Sequence, residues 1–302
     1  MNKGGVLLLY FVMENDNLHD ISVKFRSSIQ AILRANIICN PNRILPGTPL
    51  ILPKTGINLP QAGGNPYYVI QSGDTLECLA FRFNTPLETL METNHLNYSV
   101  PLLPGTELLV GIQKYNPKEL YEKWSLAGDT DPKCSASSNH EVFFRDSYEW
   151  EAIGDPAIPY LAELLKHPCD GVKLGAVLSL GRIASPNAQN ILGAFIKQSN
   201  DPLIIEVAQT ALQRIQVVQK TKNKRFHLTM HDWLILKEPT SSSIQTDIPK
   251  GTVVIGIRWN IPSPLQEEGP KGGLQMFDYI QILNTGQTGF MPRVGYNSIW
   301  LI

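Results

Sequence analysis

Along the first third of the chain the apolar positions fall in one order twice, the second copy starting 58 positions after the first. Each copy opens on a short β-prone run, Tyr10-Phe11-Val12 in one and Tyr68-Val69-Ile70 in the other. Leu76, Leu79, Ala80 and Phe83 then follow at helical spacing and predict one apolar stripe. Thr85-Pro86-Leu87-Glu88 reads as the cap, first-turn proline and acid of a second helix, with Leu87, Leu90 and Met91 inward. Pro104-Gly105-Thr106 is a turn into a closing strand, Glu107 to Val110. Tyr10/Tyr68, Asp16/Asp74, Leu18/Leu76, Phe25/Phe83 and Asn36/Asn94 are identical in the two copies, as are Leu45 to Thr48 and Leu103 to Thr106. A repeat without a gap implies one folded unit used twice, and a doubled small module points to binding with avidity.

The pattern changes twice more. Between about 139 and 217 a helical repeat recurs with a period of about 31 residues. Val172 to Ile183 is its clearest helix, Val207 to Ile215 fills the same slot one unit later, and Val142 to Ile153 one unit earlier, with Trp150 in the place of Leu180. Two complete units and a partial one fit the segment. Tyr115 to Leu126 predicts a further helix before a polar loop. From Phe226 the chain alternates: Leu234 to Leu236, Val253 to Trp259, Met276 to Leu283 and Thr288 to Met291 are half-buried β runs separated by turn residues.

Tyr68 to Ile70, the Gly73-Asp74-Thr75-Leu76 turn, Leu79-Ala80, Asn94, and Pro104-Gly105 with Leu108 are spaced along the whole second copy as in the lysin motif. That copy resembles LysM, a βααβ module that binds chains of N-acetylglucosamine in peptidoglycan or chitin. The resemblance implies a shallow groove in which Ser72, Gly73, Asp74, Thr75 and Leu76 face Asn97, Tyr98, Pro101, Leu102 and Leu103. Backbone amides and carbonyls would bond the acetamido group while small apolar residues cover the ring. Leu76 and Leu102 also fit plain core positions. In copy one the turn reads Asn15-Asp16-Asn17-Leu18, facing the loop Ile37 to Leu45 with Ile44 and Leu45 at its end. Asn tolerates the left-handed backbone that Gly73 supplies, so the fold is expected to persist while sugar affinity shifts to copy two. Arg34 and Arg43 suit carboxylates of a peptide stem or an acidic polymer.

The helical segment is similar to short HEAT-like repeats, in which antiparallel pairs share one continuous core. The ending Asp278 to Ile282 followed by Thr285-Gly286-Gln287-Thr288-Gly289-Phe290-Met291 resembles that of bacterial SH3-like domains; on that reading Trp259 and Tyr296 are nominated for peptide binding. The expected architecture is multidomain α+β: two βααβ LysM-like modules, a short α-solenoid of HEAT-like repeats and an all-β SH3-like barrel. The modules are placed at 1–53 and 67–112, linkers at 54–66 and 113–138, the repeats at 139–217, a basic linker at 218–225 and the barrel at 226–302.

Charge narrows the partners. A formal net charge of −1 gives no field toward nucleic acid or an anionic membrane, and Lys220, Lys222, Lys224 and Arg225 read as a solvated linker. No apolar stretch approaches a membrane span. The apolar run at Val6 to Leu9 merges into the first strand, so it predicts no export signal and cytoplasmic synthesis, with the spore envelope or cell wall as final site. Cys39, Cys78, Cys134 and Cys169 lack CxxC spacing, which predicts neither a zinc site nor a disulfide framework but thiols in a reducing compartment.

Catalytic patterns are equally sparse. HExxH is missing, His227 and His231 share one face of a β-like run with no acidic partner on it, and Asp146 with Glu149 or Glu267 with Glu268 have no cleft around them. The sequence therefore predicts a noncatalytic cell-wall or spore-envelope adaptor. It needs no metal or cofactor, and its rear half holds a protein or the wall peptide. The alternatives are a protein-assembly scaffold, such as a phage or injection-device component, and a targeting subunit for a separate wall hydrolase.

Overall fold

A computed structural model describes residues 7–54, 66–99, 101–130, 140–265, 267–269, 273–293 and 301–302. Module one runs β1 (Leu7–Phe11), α1 (Leu18–Phe25), α2 (Ile29–Ala35) and β2 (Pro49–Pro53); module two runs β3 (Tyr67–Val69), α3 (Leu76–Arg82), α4 (Leu87–Thr93) and β4 (Glu107–Leu109). Each is the expected βααβ unit. Tyr10 pairs with Leu50 across β1 and β2, and Tyr68 with Leu108 across β3 and β4, so the repeat holds at the level of strand register. Asn17 and Thr75 accept the Asp20 and Cys78 N–H groups that open α1 and α3. The apolar stripes close over two small cores, Leu18, Ile21, Ile32 and Leu50 in one module and Leu76, Leu79, Leu90 and Leu108 in the other.

The repeated asparagine explains itself. Asn36 Nδ2 donates to the Ile32 and Ile51 carbonyls at 2.7 Å, and its Oδ1 accepts the Ile51 N–H at 2.8 Å. Asn94 does the same with Leu90 and Leu109 at 2.7–2.9 Å. One carboxamide thus ties the end of the second helix to the closing strand and satisfies backbone groups that no ladder reaches.

The cysteines depart from the sequence reading. Cys39 and Cys78 form a disulfide, Cα to Cα 5.8 Å, that joins the module-one loop to α3 of module two. Cys169 is disulfide-bonded as well. Sequence spacing predicts thiols because each cysteine sits in a different segment; the fold instead brings the two modules face to face. Arg82 reinforces the contact by donating to the Leu33 and Ile38 carbonyls.

Behind module two lies a helical stack: α5 (Pro117–Thr130), α6 (His140–Ile153), a 3-10 turn (Asp155–Ala157), α7 (Ile158–Leu164), α8 (Asp170–Ile183), α9 (Pro186–Gln198) and α10 (Pro202–Thr221). Helices α6, α8 and α10 pack side by side, with α5, α7 and α9 on the other layer. The predicted helix after Tyr115 is α5, and it extends the stack into the stretch expected as a linker. Gly175 makes this possible, since a Cβ there would lie 2.8 Å from Trp124 and from Phe143. Asp146 and Glu149, weighed as a carboxylate pair, both meet Lys123 of α5, at 2.9 and 3.7 Å. Arg182 and Arg214, aligned by the repeat, are both fully buried. Arg214 gathers the carbonyls of Gly181, Arg182, Lys224 and Phe226, which binds the end of α8 to the entry of the β region.

The C-terminal region is all-β. Its strands β5 (Phe226–Leu228), β6 (Trp233–Leu236), β7 (Gln245–Ile248), β8 (Val253–Pro262), β9 (Met276–Ile282) and β10 (Thr288–Pro292) form a six-stranded antiparallel sheet in the order β5-β8-β9-β10-β6-β7. This is the β ending that the alternation predicts, without a demonstrated SH3-like domain. Two register shifts interrupt β8 around Arg258, and Asn260 takes φ 65°. Such bulges bend a strand and re-aim its side chains. Here they turn Arg258 and Trp259 toward the two modules.

Module two does not hang free. Tyr67, Val69 and Leu109 share one apolar cluster with Tyr148 and Ala152 of α6 and with Val254, Trp259 and Ile280 of the sheet. Polar bonds seal the junction. Glu107 accepts from Trp259 Nε1 at 2.8 Å and lies 2.7 Å from His227 Nε2, while the Tyr67 hydroxyl donates to Glu151 at 2.8 Å. The acidic partner of His227, missing in local sequence, comes from 120 residues away. Arg225, read as solvated, donates to Gly256 and Gly105.

Candidate functional site

The Asp74 turn is built from its neighbours. Asp74 Oδ2 accepts from the Tyr68 hydroxyl and the Gln71 N–H, each at 2.7 Å, while Gly73 turns the chain at φ 95°. In copy one Asp16 Oδ2 accepts from Tyr10 at 2.6 Å and Met13 at 2.7 Å, with Asn15 at φ 67°. Asn thus does take the left-handed position of the glycine. The two aspartates differ in setting: burial pushes the Asp74 carboxyl above its ordinary range, whereas the Tyr10 hydroxyl holds Asp16 below it. Burial also pushes the Tyr68 hydroxyl far up, with Asp74 adding to the shift.

These bonds divide the nominated residues. Asp16 and Asp74 hold their turns, Asn17 and Thr75 cap helices, and Leu18 and Leu76 are buried in the module cores. Leu102 packs partly against the module-two core. Exposed on module two are Gly73 and Thr75 of the turn and Asn97, Tyr98, Pro101 and Leu103 of the facing loop, with Ser72 half-buried. Tyr98 and Leu103 are 69% and 62% exposed, large for apolar groups on so small a module. On copy one Asn15 and Asn17 are exposed and Ile44 and Leu45 half-buried. Arg34 and Arg43 are exposed too.

The structure also brings together what the sequence kept apart. Asn40, in the copy-one loop, lies 3.3 Å from where a Cβ on Gly73 would be, so that loop abuts the copy-two turn. Behind this contact is a cavity of about 630 Å³ between both modules and the sheet, bordered by Leu45, Ser72, Arg225, Arg258 and Trp259. Trp259, nominated for a surface groove, is 7% exposed and spends its N–H on Glu107. Tyr296 lies outside the described residues. Sequence reasoning missed Arg258, since a lone arginine in a β run carries no signal until the strand's bulges aim it. Among the described residues no group of three or more His, Cys, Asp or Glu is placed to hold a metal ion, and no helix is long and apolar enough to cross a membrane.

Comparison with known proteins follows the same division. Residues 68–111 match the LysM domain family, residues 6–53 the LYK4/5 LysM3 domain, and residues 150–213 HEAT repeats. The chain carries LysM domains and a HEAT-like repeat. It is 33% identical over 102 residues to the secreted LysM effector ECP6 of Passalora fulva, covering 28% of this chain and 44% of that protein. It is 32% identical over 119 residues to N-acetylmuramoyl-L-alanine amidase sle1 of Staphylococcus aureus strain USA300, covering 36% of this chain and 35% of the relative. The chain thus spans less than half the length of the curated relatives it matches. A spore cortex-lytic enzyme SleL of Bacillus cereus aligns over 95% of this chain and 89% of its own at 13% identity, with a TM-score of 0.20 that supports no argument about shape.

Proposed function

We propose that the protein binds N-acetylglucosamine-containing wall polymer without transforming it, chiefly through module two. What supports this reading is that Gly73, Thr75, Tyr98, Pro101 and Leu103, the positions that the resemblance assigns to the groove, are each exposed on a LysM domain whose turn is held by Tyr68 and Asp74. Pre-set backbone donors and a flat apolar cover need little reordering to accept a sugar ring. The names of the relatives, a LysM effector and an amidase of muramoyl-peptide, fit the same polymer class. Both modules on one disulfide-tied unit would hold two stretches of glycan with a fixed spacing and raise avidity. Disulfides persist in oxidising surroundings, so the cell wall or spore envelope suits the folded protein better than a reducing cytosol.

Co-sedimentation with insoluble peptidoglycan and chitin tests the proposal. Asp74→Ala or Leu76→Ala would be poor variants, because removing a buried leucine costs about 2–5 kcal/mol and would unfold the module rather than report on sugar. Tyr98→Ala with Leu103→Ala removes only exposed groups. Wild type is expected to pellet and the double variant to stay largely in the supernatant with its fold intact. Wild type remaining in the supernatant with both polymers would contradict the proposal and turn attention to protein partners.

A further inference from the structure

We propose that the cavity between the two modules and the sheet receives a carboxylate-bearing stem peptide that branches from the bound glycan. This rests on the glycan reading and names the polymer that satisfies it: peptidoglycan rather than chitin.

The cavity's charge is one-sided. Arg258 sends its guanidinium to the Pro49 carbonyl and to Asn36 Oδ1 at 2.9 Å. Arg225 donates to the Gly256 carbonyl at 2.7 and 3.0 Å and to the Gly105 carbonyl at 3.2 Å. Every one of these acceptors is neutral. A guanidinium has five N–H donors and pairs most strongly with a carboxylate, so both arginines have capacity to spend on an anion. Neither nearby carboxylate bonds to them: Asp74 is taken by Tyr68 and Gln71, and Glu107, taken by His227 and Trp259, acts on Arg225 only through space. Burial accordingly holds Arg258 down at about 10 and Arg225 below its ordinary value. An arriving carboxylate would relieve that cost.

Size, lining and position select a peptide. About 630 Å³ lies within the range of sites that hold small organic molecules. Ile37, Ile51, Leu274 and Met276 offer methyl and methylene surface for short aliphatic side chains. Leu45 and Ser72 belong both to the cavity wall and to the loops nominated for glycan, so the cavity opens next to the sugar face. A chain of plain N-acetylglucosamine has nothing to place there.

Isothermal titration with three soluble probes tests this: a wall tetrasaccharide bearing tetrapeptide stems, the same compound with its stem carboxylates amidated, and chitotetraose. The acidic compound is expected to bind about tenfold tighter than its amide, the value of one charge-assisted bidentate contact. Arg258→Gln should abolish that difference. Because Arg258 also ties down Pro49, Leu274→Trp provides a second variant that narrows the cavity and keeps the charge; it should reduce the difference too. Chitotetraose affinity should be unchanged in both. Equal binding of acid and amide by wild type, or a preference that survives both substitutions, overturns the cavity assignment and leaves the glycan reading standing. Failure of wild type to bind any of the three overturns the glycan reading and this inference with it.

Discussion

Asp16 and Asp74 occupy one position of one repeat, accept the same two kinds of donor, and yet shift in opposite directions. The difference is burial, which outweighs the donated bonds at Asp74 alone. Linkage gives the signs. Asp16, with its folded value depressed, adds stability that is complete above the unfolded value and is lost as pH falls through the folded one. Asp74, with its folded value raised, keeps its proton longer in the native state, so its contribution falls as pH rises through that window. Titration of the carboxyl carbons by NMR should therefore show Asp74 protonating first on acidification and Asp16 last; coincident midpoints or the reverse order would refute the assignment. Asn94 supplies the second test at this scale. Asn94→Leu leaves the Leu109 N–H and carbonyl without their partner, while the Leu90 carbonyl keeps the Thr93 hydroxyl, at a cost of about 2–3 kcal/mol in denaturant unfolding. A loss within experimental error would mean that water or a shifted backbone replaces the carboxamide. The identity of these residues was legible in the repeat, but their role was not. Spacing shows that a tyrosine, an aspartate and an asparagine recur, and only geometry shows that they hold the turn and leave its exposed neighbours to meet a ligand.

Elements were the most legible level, because apolar period and cap residues act locally. Leu76, Leu79, Ala80 and Phe83 predict α3, and the structure places that helix at Leu76–Arg82 behind a Thr75 cap. The alternation after Phe226 likewise becomes β strands. What the pattern left open was closure, since side-chain period does not say which edges meet; the β region is a sheet ordered β5-β8-β9-β10-β6-β7, and the bulges in β8 follow from no simple alternation. The link between Cys39 and Cys78 was hidden for the same reason. It closes a loop of sequence separation 39, and removing such a link typically costs about 2–4 kcal/mol. Cys39→Ser with Cys78→Ser should lower unfolding free energy by that amount while each module keeps its secondary structure. Alkylation of Cys39 and Cys78 in the native, unreduced protein would contradict the pairing.

At the scale of the whole molecule, the sequence suggests modules on linkers, and the structure shows module two wedged between helices and sheet. The reason lies in positions that look ordinary in sequence: Tyr67 one residue before the motif, Glu107 in the closing strand, and Trp259 and His227 far downstream. A shared core predicts shared unfolding. Circular dichroism and tryptophan fluorescence should give one coincident transition. Glu107→Leu leaves His227 and Trp259 Nε1 without an acceptor, at about 1–3 kcal/mol each, and should separate the two traces. Separate transitions in wild type would mean that module two folds independently of its neighbours. A fixed scaffold also fixes where a ligand can touch, so glycan binding through module two is open to direct mapping. Amide chemical shifts followed during titration with chitotetraose should show saturable changes clustered at Gly73, Thr75, Tyr98 and Leu103, with smaller ones at Asn15 and Asn17. An unchanged spectrum, or changes confined to the helical stack or the sheet, would contradict it.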